Sequence, residues 1–176
     1  MTINQPTTGT ALSAGIWTLN PRNTSVTVAV RKLGFINVAA NLALTEGTVT
    51  IDANGQVVSV AAAVDAASYD SGNPKRDTHV LSEDFLDTDH HPEISFTASR
   101  VEASSAGYQA AGELTLKGKT TPITLEVGDL AVDGSSASFV ARTTVDRKEL
   151  GVDKMPSFVI GNALQLTVSA QATLNP

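Results

Sequence analysis

The sequence predicts an all-β fold, an antiparallel up-and-down barrel with one or two short helices covering an end at about residues 73–88. Apolar and polar residues alternate with period two along most of the chain, as in residues 25–31, and this pattern indicates strands with one buried face. Turn signals such as Asn54-Gly55 separate about eight to ten of these segments. Because short connections join so many strands, closure into a barrel is the arrangement that removes their exposed edges.

The composition indicates a single globular domain and excludes several functions. The chain has 176 residues, no cysteine and a formal net charge of −6. Disulfides and thiolate metal sites are therefore excluded, and the acidic balance argues against nucleic-acid binding and against anionic membrane surfaces. We predict a flexible polar arm over residues 1–15 and a barrel domain over residues 16–176.

Predicted strands follow one another along the whole domain. Turn residues and changes of alternation delimit them. In chain order they are residues 16–19, 25–31, 38–44, 48–51, 57–64, 93–103, 108–117, 121–127, 138–145 and 158–174.

The inward faces of these strands carry many small residues and few rings. Aromatic residues make up only 5% of the chain. The small inward residues are Ala40, Ala98, Ala110, Gly112 and Ala141. We infer an interior that its own side chains do not fill; a flattened sandwich would use the same residues as ordinary core.

The strand pattern stops between residues 67 and 93. Pro74 fits a first helical turn with Asn73 as its N-cap, and Val80 and Phe85 contribute to an apolar face at helical spacing. A connection this long in a small domain is often functional, so we expect a helical cover over one end of the barrel.

Two ordered motifs resemble the YceI-like family. The first comprises Asn73, then Arg76-Asp77-Thr78-His79, Asp84-Phe85 and Pro92-Glu93-Ile94-Ser95-Phe96; the second runs from Gly112 to Leu125 with Gly118 and Pro122 at the family positions. The resemblance covers residues 17 to about 174. It implies a lipocalin-like barrel that binds, stores or transports a long apolar ligand of polyisoprenoid, isoprenoid quinone or fatty-acyl type without catalysis.

The resemblance also suggests candidate site residues. The predicted cavity wall consists of Val28, Val30, Phe35, Leu42, Phe96, Leu114, Leu125, Phe139 and Leu166, and the predicted rim and cover consist of Arg76, Asp77, His79 and Phe85. We expect no cofactor besides the lipid ligand, and family habit alone suggests a homodimer. Lys32, Ala40 and Leu42 replace a usual His, Gly and Phe of the family, which would reshape the cavity.

Two alternative functions remain open from the sequence. One is an enzyme acting on a small hydrophobic substrate with His79 or Asp77 as acid or base, which requires this pair to point into the cavity. The other is a filled barrel serving as a stress-related interaction module, whose cavity would be smaller than the few hundred Å³ typical of ligand pockets.

The histidines and the N-terminus favour no further function. His79, His90 and His91 lie among aspartates, but their spacing fits no metal-binding pattern, and we predict no metal site. Residues 1–15 contain no Lys or Arg and no signal-peptide core, and no segment approaches the roughly 18 apolar residues of a membrane span. We therefore expect a cytoplasmic protein without stable membrane insertion.

Overall fold

The computed structural model describes residues 12–105 and 107–176. Most of the predicted N-terminal arm, residues 1–11, lies outside this part of the chain. Within the described residues there are nine strands and one helix. They are β1 (Gly15–Leu19), β2 (Ser25–Lys32), β3 (Ile36–Ile51), β4 (Val57–Asp70), α1 (Pro74–Leu81), β5 (Glu93–Ser104), β6 (Gly107–Leu116), β7 (Lys119–Asp133), β8 (Ser136–Asp146) and β9 (Ala163–Leu174).

The strands close into an antiparallel barrel with eight strand positions. Neighbours in the chain pair from β2 to β9, and β2 also pairs with β9, so the ring is complete. Val28 is opposite Ala40 on one side and Leu166 on the other. β1 and β2 lie one after the other between β3 and β9. β1 pairs with residues 48–51 of β3 and residues 172–174 of β9, and β2 pairs with earlier residues of both strands. The predicted barrel is confirmed.

Residues of β1 and β2 form one apolar cluster at their shared strand position. Trp17 on β1 is completely buried, and its indole Nε1 donates to the carbonyl of Ser13 at 2.9 Å. Burial of an indole is favourable when its N–H finds a partner, as here. Leu19 and Val26 continue the same apolar cluster across the break between β1 and β2.

The barrel has two different ends. The turns that follow β3, β5 and β7 are tight and form what we call the hairpin end. The opposite, connector end carries the turn 33–35, the connection 71–92 with α1, the turn 117–118 and the loop 147–162. Four side-by-side connections, two of them long, can cover the connector end.

β3 is one strand where the sequence predicted two. Leu42 and Leu44 face the interior, and so do Val49 and Ile51, although their positions differ in parity. A register shift between Leu44 and Glu46 accommodates the change, because a β-bulge adds one residue and restores the inward phase. The same happens in β5 between Ala98 and Arg100.

The predicted helical cover is confirmed as one helix followed by turns. The Asn73 side chain accepts from the Arg76 N–H at 3.1 Å, and Pro74 occupies the first turn. Val80, Phe85 and Leu86 then pack onto the apolar cluster of β5 and β6. No helix in the described part of the chain has the length and apolar character needed to cross a bilayer.

Candidate ligand-binding cavity

The barrel encloses an elongated apolar cavity of about 710 Å³. Its lining extends from Gly55 and Val57 at the hairpin end to Lys32 and Met155 at the connector end. The walls between are mainly valine, leucine, isoleucine and alanine. This volume lies within the range of about 300–1,000 Å³ that ligand pockets occupy.

The structure brings most of the predicted wall residues together. Eight of the nine line the cavity: Val28, Val30, Leu42, Phe96, Leu114, Leu125, Phe139 and Leu166. They come from seven different strands, and alternation along each strand turns them inward. Sequence reasoning missed other inward positions, including Val60, Val64 and Leu164, although the same alternation could have identified them.

Phe35 is the exception among the predicted wall residues. It lies outside the cavity lining and is 78% exposed. Leu33 and Gly34 have positive φ angles of 54° and 79°, so the chain turns away from the barrel before Phe35. The alternation that identified inward residues does not continue through this turn.

Small side chains contribute to the open interior in two different ways. Ala110 and Ala141 line the cavity, and each leaves space that a larger side chain would fill. Gly112 has another role, because a Cβ there would lie 2.2 Å from the carbonyl oxygen of Thr97 and 2.8 Å from the Phe96 ring. Gly112 is thus required by the close approach of β5 and β6.

The predicted rim residues divide into separate groups. The Ser71 N–H donates to both Asp77 carboxylate oxygens at 3.1 Å, and Arg76 Nη1 donates to Ser71 Oγ at 3.3 Å. These contacts attach α1 to the end of β4. Arg76 lines the cavity, whereas Asp77 is outside the lining.

His79 and Phe85 lie together, apart from the Asp77 carboxylate. The two rings meet edge to face with centroids 4.9 Å apart, and His79 Nε2 is 3.4 Å from the Asp84 carboxylate. Both rings line the cavity. Of the two candidate acid–base residues, His79 lines the cavity and Asp77 does not, so the pair does not point into the cavity together.

Tyr69 is a polar cavity residue that the sequence did not single out. Burial raises the pKa of its phenol, and the nearby Asp77 carboxylate raises this pKa further. The Tyr69 hydroxyl is therefore protonated at neutral pH and available as a hydrogen-bond donor. No sequence pattern indicated this residue, because it lies at the end of β4 where the strand alternation stops.

The mouth of the cavity at the connector end is positively charged. Lys32, Lys75 and Arg76 line it. Among the described residues that line the cavity there is no aspartate or glutamate. Asp77 and Asp84 lie behind this lining, next to Tyr69 and His79, so the cations are nearer to the cavity than the carboxylates are.

Arg147 is a buried cation that the sequence analysis did not identify. It is 2% exposed, and its five N–H donors reach the carbonyl oxygens of Val152, Lys154, Met155, Ile160 and Gly161 at 2.8–3.2 Å. These bonds fold the loop 147–162 around the guanidinium. The predicted strand 158–174 begins only at Ala163, and the Ile160 and Gly161 carbonyls before it bond to Arg147.

The remaining histidines form a local contact with one aspartate. His90 Nδ1 lies 2.8 Å from Asp87, and His91 Nε2 lies 3.9 Å from the same carboxylate. Hydrogen bonding to Asp87 raises the pKa of the exposed His90. Within residues 12–105 and 107–176, no three histidine or acidic side chains converge as a metal site requires.

Comparison with known proteins identifies the family. The YceI-like domain matches residues 17–172 of this chain. The chain belongs to this family. Protein YceI of Escherichia coli O17:K52:H18 is 33% identical over 113 residues, a match covering 61% of this chain and 59% of that relative's length.

Solved structures share the fold of this YceI-like chain. BcnA of Burkholderia cenocepacia superposes with a TM-score of 0.76 at 20% identity, covering 88% of this chain and 99% of the other. A polyisoprenoid-binding domain from Saccharophagus degradans superposes with a TM-score of 0.69 at 10% identity, covering 90% and 98% of the two chains.

Proposed function

We propose that this YceI-like protein binds and carries one molecule with a long apolar chain and performs no chemistry on it. The observation that supports this most strongly is the apolar cavity of about 710 Å³ that extends along the barrel. A chain buried there gains about 0.8 kcal/mol per CH₂ group. Apolar walls alone therefore suffice to retain a polyisoprenoid or acyl chain.

The ligand's polar end lies at the connector end in this proposal. Lys32, Lys75 and Arg76 line that mouth, and the described lining residues include no carboxylate. Charge complementarity favours an acidic head group, such as a carboxylate or a phosphate, over a neutral one. The ligand class that fits best is thus an anionic amphiphile.

The hydrogen bonds of the Asp77 carboxylate support the absence of catalysis. Its carboxylate accepts hydrogen bonds from the Ser71 backbone and holds α1 to β4. A general base must reach the proton it removes, and Asp77 is not part of the cavity lining. The alternative of a filled barrel is disfavoured by a cavity well above the few hundred Å³ that it would leave.

Two neighbouring alanines provide a matched test of cavity binding. Ala110 faces the cavity and Ala111 faces outward on the same strand. We expect Ala110→Phe to weaken binding of a fluorescent long-chain fatty acid at least about tenfold, since the ring fills space the chain needs. Ala111→Phe should bind like the wild type.

A second variant keeps the test informative if Ala110→Phe folds poorly. Ala141→Leu also adds volume inside the cavity and should weaken binding of the same probe. Melting temperatures identify any variant that is unfolded. Equal probe binding by folded Ala110→Phe, Ala141→Leu and wild-type protein would overturn the proposal.

A further inference from the structure

Large exposed apolar side chains are concentrated on two segments of the connector end. Within the described residues, Phe35 and Phe158 are 78% and 77% exposed, far more than any other large apolar side chain. We call the group they belong to the tip surface. It consists of Leu33, Phe35 and Ile36 on one segment and Met155 and Phe158 on the other.

The two segments of the tip surface lie side by side. The Leu33 N–H donates to the Val159 carbonyl at 2.8 Å, and the Gly161 N–H donates to the Arg31 carbonyl at 2.7 Å. A β-bridge joins Lys32 and Ile160 between these bonds. The two segments therefore present their exposed apolar side chains from adjacent stretches of backbone, and a cluster of such side chains marks an interaction site.

The backbone holds these side chains outward at a conformational cost. Leu33 and Met155 have φ angles of 54° and 72°, a region that residues other than glycine rarely occupy. Backbone strain of this kind persists where the surrounding structure enforces it, and it is concentrated at functional sites. One strained residue lies in each segment of the tip surface.

Basic side chains flank the tip surface. Arg31 and Lys32 precede the first segment, and Lys154 precedes Met155 in the second, against a single nearby acid, Asp153. Other acidic residues of the connector end lie between Asp77 in the cover helix and Glu93 at the start of β5, and at Asp146 and Glu149 near the start of the loop 147–162. The chain as a whole carries a charge of −6, so this local excess of cations departs from the average.

The tip surface is also continuous with the mouth of the cavity. Lys32, Met155 and Val159 belong to the cavity lining as well as to the two segments. A surface that contacted the tips would therefore face the mouth directly. Apolar tips with flanking cations complement a bilayer with anionic head groups, because aromatic rings enter the interface and lysines contact the lipid charge.

We propose that the tip surface docks on an anionic lipid bilayer and brings the cavity mouth against it. The phenylalanine rings insert at the level of the head groups, and Arg31, Lys32 and Lys154 bind the lipid phosphates. This inference goes beyond ligand binding in the cavity, and it can be tested with no ligand in the cavity.

Vesicle flotation tests the docking surface. The probes are vesicles of phosphatidylcholine alone and of phosphatidylcholine mixed with phosphatidylglycerol. We expect the wild-type protein to float with the anionic vesicles, less so at high salt, and the double variant Phe35→Ser with Phe158→Ser to partition at least about tenfold more weakly.

Val58→Ser is the matched control, because Val58 is 43% exposed at the hairpin end and should not contribute. Lys154→Glu should weaken binding to the anionic vesicles alone.

The outcomes separate docking from its alternatives and from the proposed function. Failure of the wild-type protein to bind anionic vesicles, or equal binding by the double phenylalanine variant, would overturn the docking proposal. The docking proposal would also be overturned if the tip surface mediates self-association instead. Sedimentation would then show a wild-type dimer that the double variant does not form, and the wild-type protein would not bind the vesicles. Ala110→Phe should still dock, so loss of cavity binding and loss of docking are distinguishable.

Discussion

Arg147 shows how a single residue can organise an irregular loop. Its guanidinium is buried with no carboxylate within salt-bridge distance among the described residues, and five carbonyl oxygens surround it. A carbonyl oxygen that accepts a hydrogen bond from Arg147 points toward the guanidinium and not toward a neighbouring strand. The planar guanidinium suits this role because its five donors are fixed in one fork, a geometry that lysine cannot reproduce.

We predict that Arg147→Met destabilises the protein by about 3–5 kcal/mol, because it leaves buried carbonyls without a donor. Chemical denaturation would measure the change in the free energy of unfolding. Arg142→Met on the preceding strand, β8, is the control, since Arg142 is exposed and 3.6 Å from Asp129, and it should cost at most about 1 kcal/mol. Similar losses for both variants would contradict the role assigned to Arg147.

His90 gives a pH dependence whose sign follows from its contact. Hydrogen bonding to Asp87 raises the pKa of His90 in the folded state, so the folded protein holds this proton more tightly than the unfolded chain. The stabilisation is fully present below the unfolded pKa of about 6.5 and is lost as the pH rises through the raised folded value. We predict that His90→Gln lowers the melting temperature slightly at pH 5.5 and leaves it unchanged at pH 9. A difference that grows toward alkaline pH would contradict this sign.

At the scale of elements, α1 is attached to the barrel mainly through Ser71 and through its apolar residues. Asp77 accepts from the Ser71 N–H, and Val80 packs onto the core. No residue of α1 itself is buried, so the helix depends on these few contacts. Elements with few buried contacts open locally at a lower free energy than the whole molecule unfolds.

We predict that Asp77→Ala accelerates hydrogen exchange in residues 73–88, with a local loss of about 1–3 kcal/mol and little change in the melting temperature. The fluorescent fatty acid should also dissociate faster, since the cover opens more often. Asp84→Ala is the control, because Asp84 is exposed and its carboxylate makes a long contact of 3.4 Å with His79. Unchanged exchange in Asp77→Ala would show that the apolar packing alone holds the cover.

The strands illustrate what local patterns can and cannot predict. The sequence predicts residues 38–44 and 48–51 as separate strands, and the inward positions of the two stretches differ in parity. A bulge joins them into β3, and the sequence does not distinguish a bulge from a turn when no glycine or proline pair marks it. Phe35 was misplaced for a related reason, since alternation does not apply within a turn with positive φ angles.

For the whole molecule, a hollow barrel makes stability depend on its ligand. A ligand that binds only the folded state stabilises it by RT ln(1 + [L]/Kd), about 2.7 kcal/mol at a hundredfold excess over Kd. We predict that removing bound lipid lowers the melting temperature and that adding the fatty acid restores it, as measured by calorimetry. The fatty acid should raise the melting temperature of Ala110→Phe much less than that of the wild type. An equal rise in the two proteins would place binding outside the cavity.

The sequence by itself determined the fold class, the helical cover and most of the cavity wall. These features depend on local signals: alternation specifies which side chain of a strand is buried, and Asn73 with Pro74 specifies where a helix begins. The motifs around residues 73–96 and 112–125 identified the family.

Only the tertiary structure decided that the barrel is hollow, which side chains form its charged mouth, and that Phe35 and Phe158 share one surface. The interior volume depends on the number and stagger of the strands, which the identity of individual residues does not fix. Lys32 and Lys75 are 43 residues apart in the chain, and the two tip segments are joined by hydrogen bonds from Leu33 to Val159 and from Gly161 to Arg31. Pairing between strands that are distant in the sequence brings such residues together, and no local sequence pattern indicates which strands will pair.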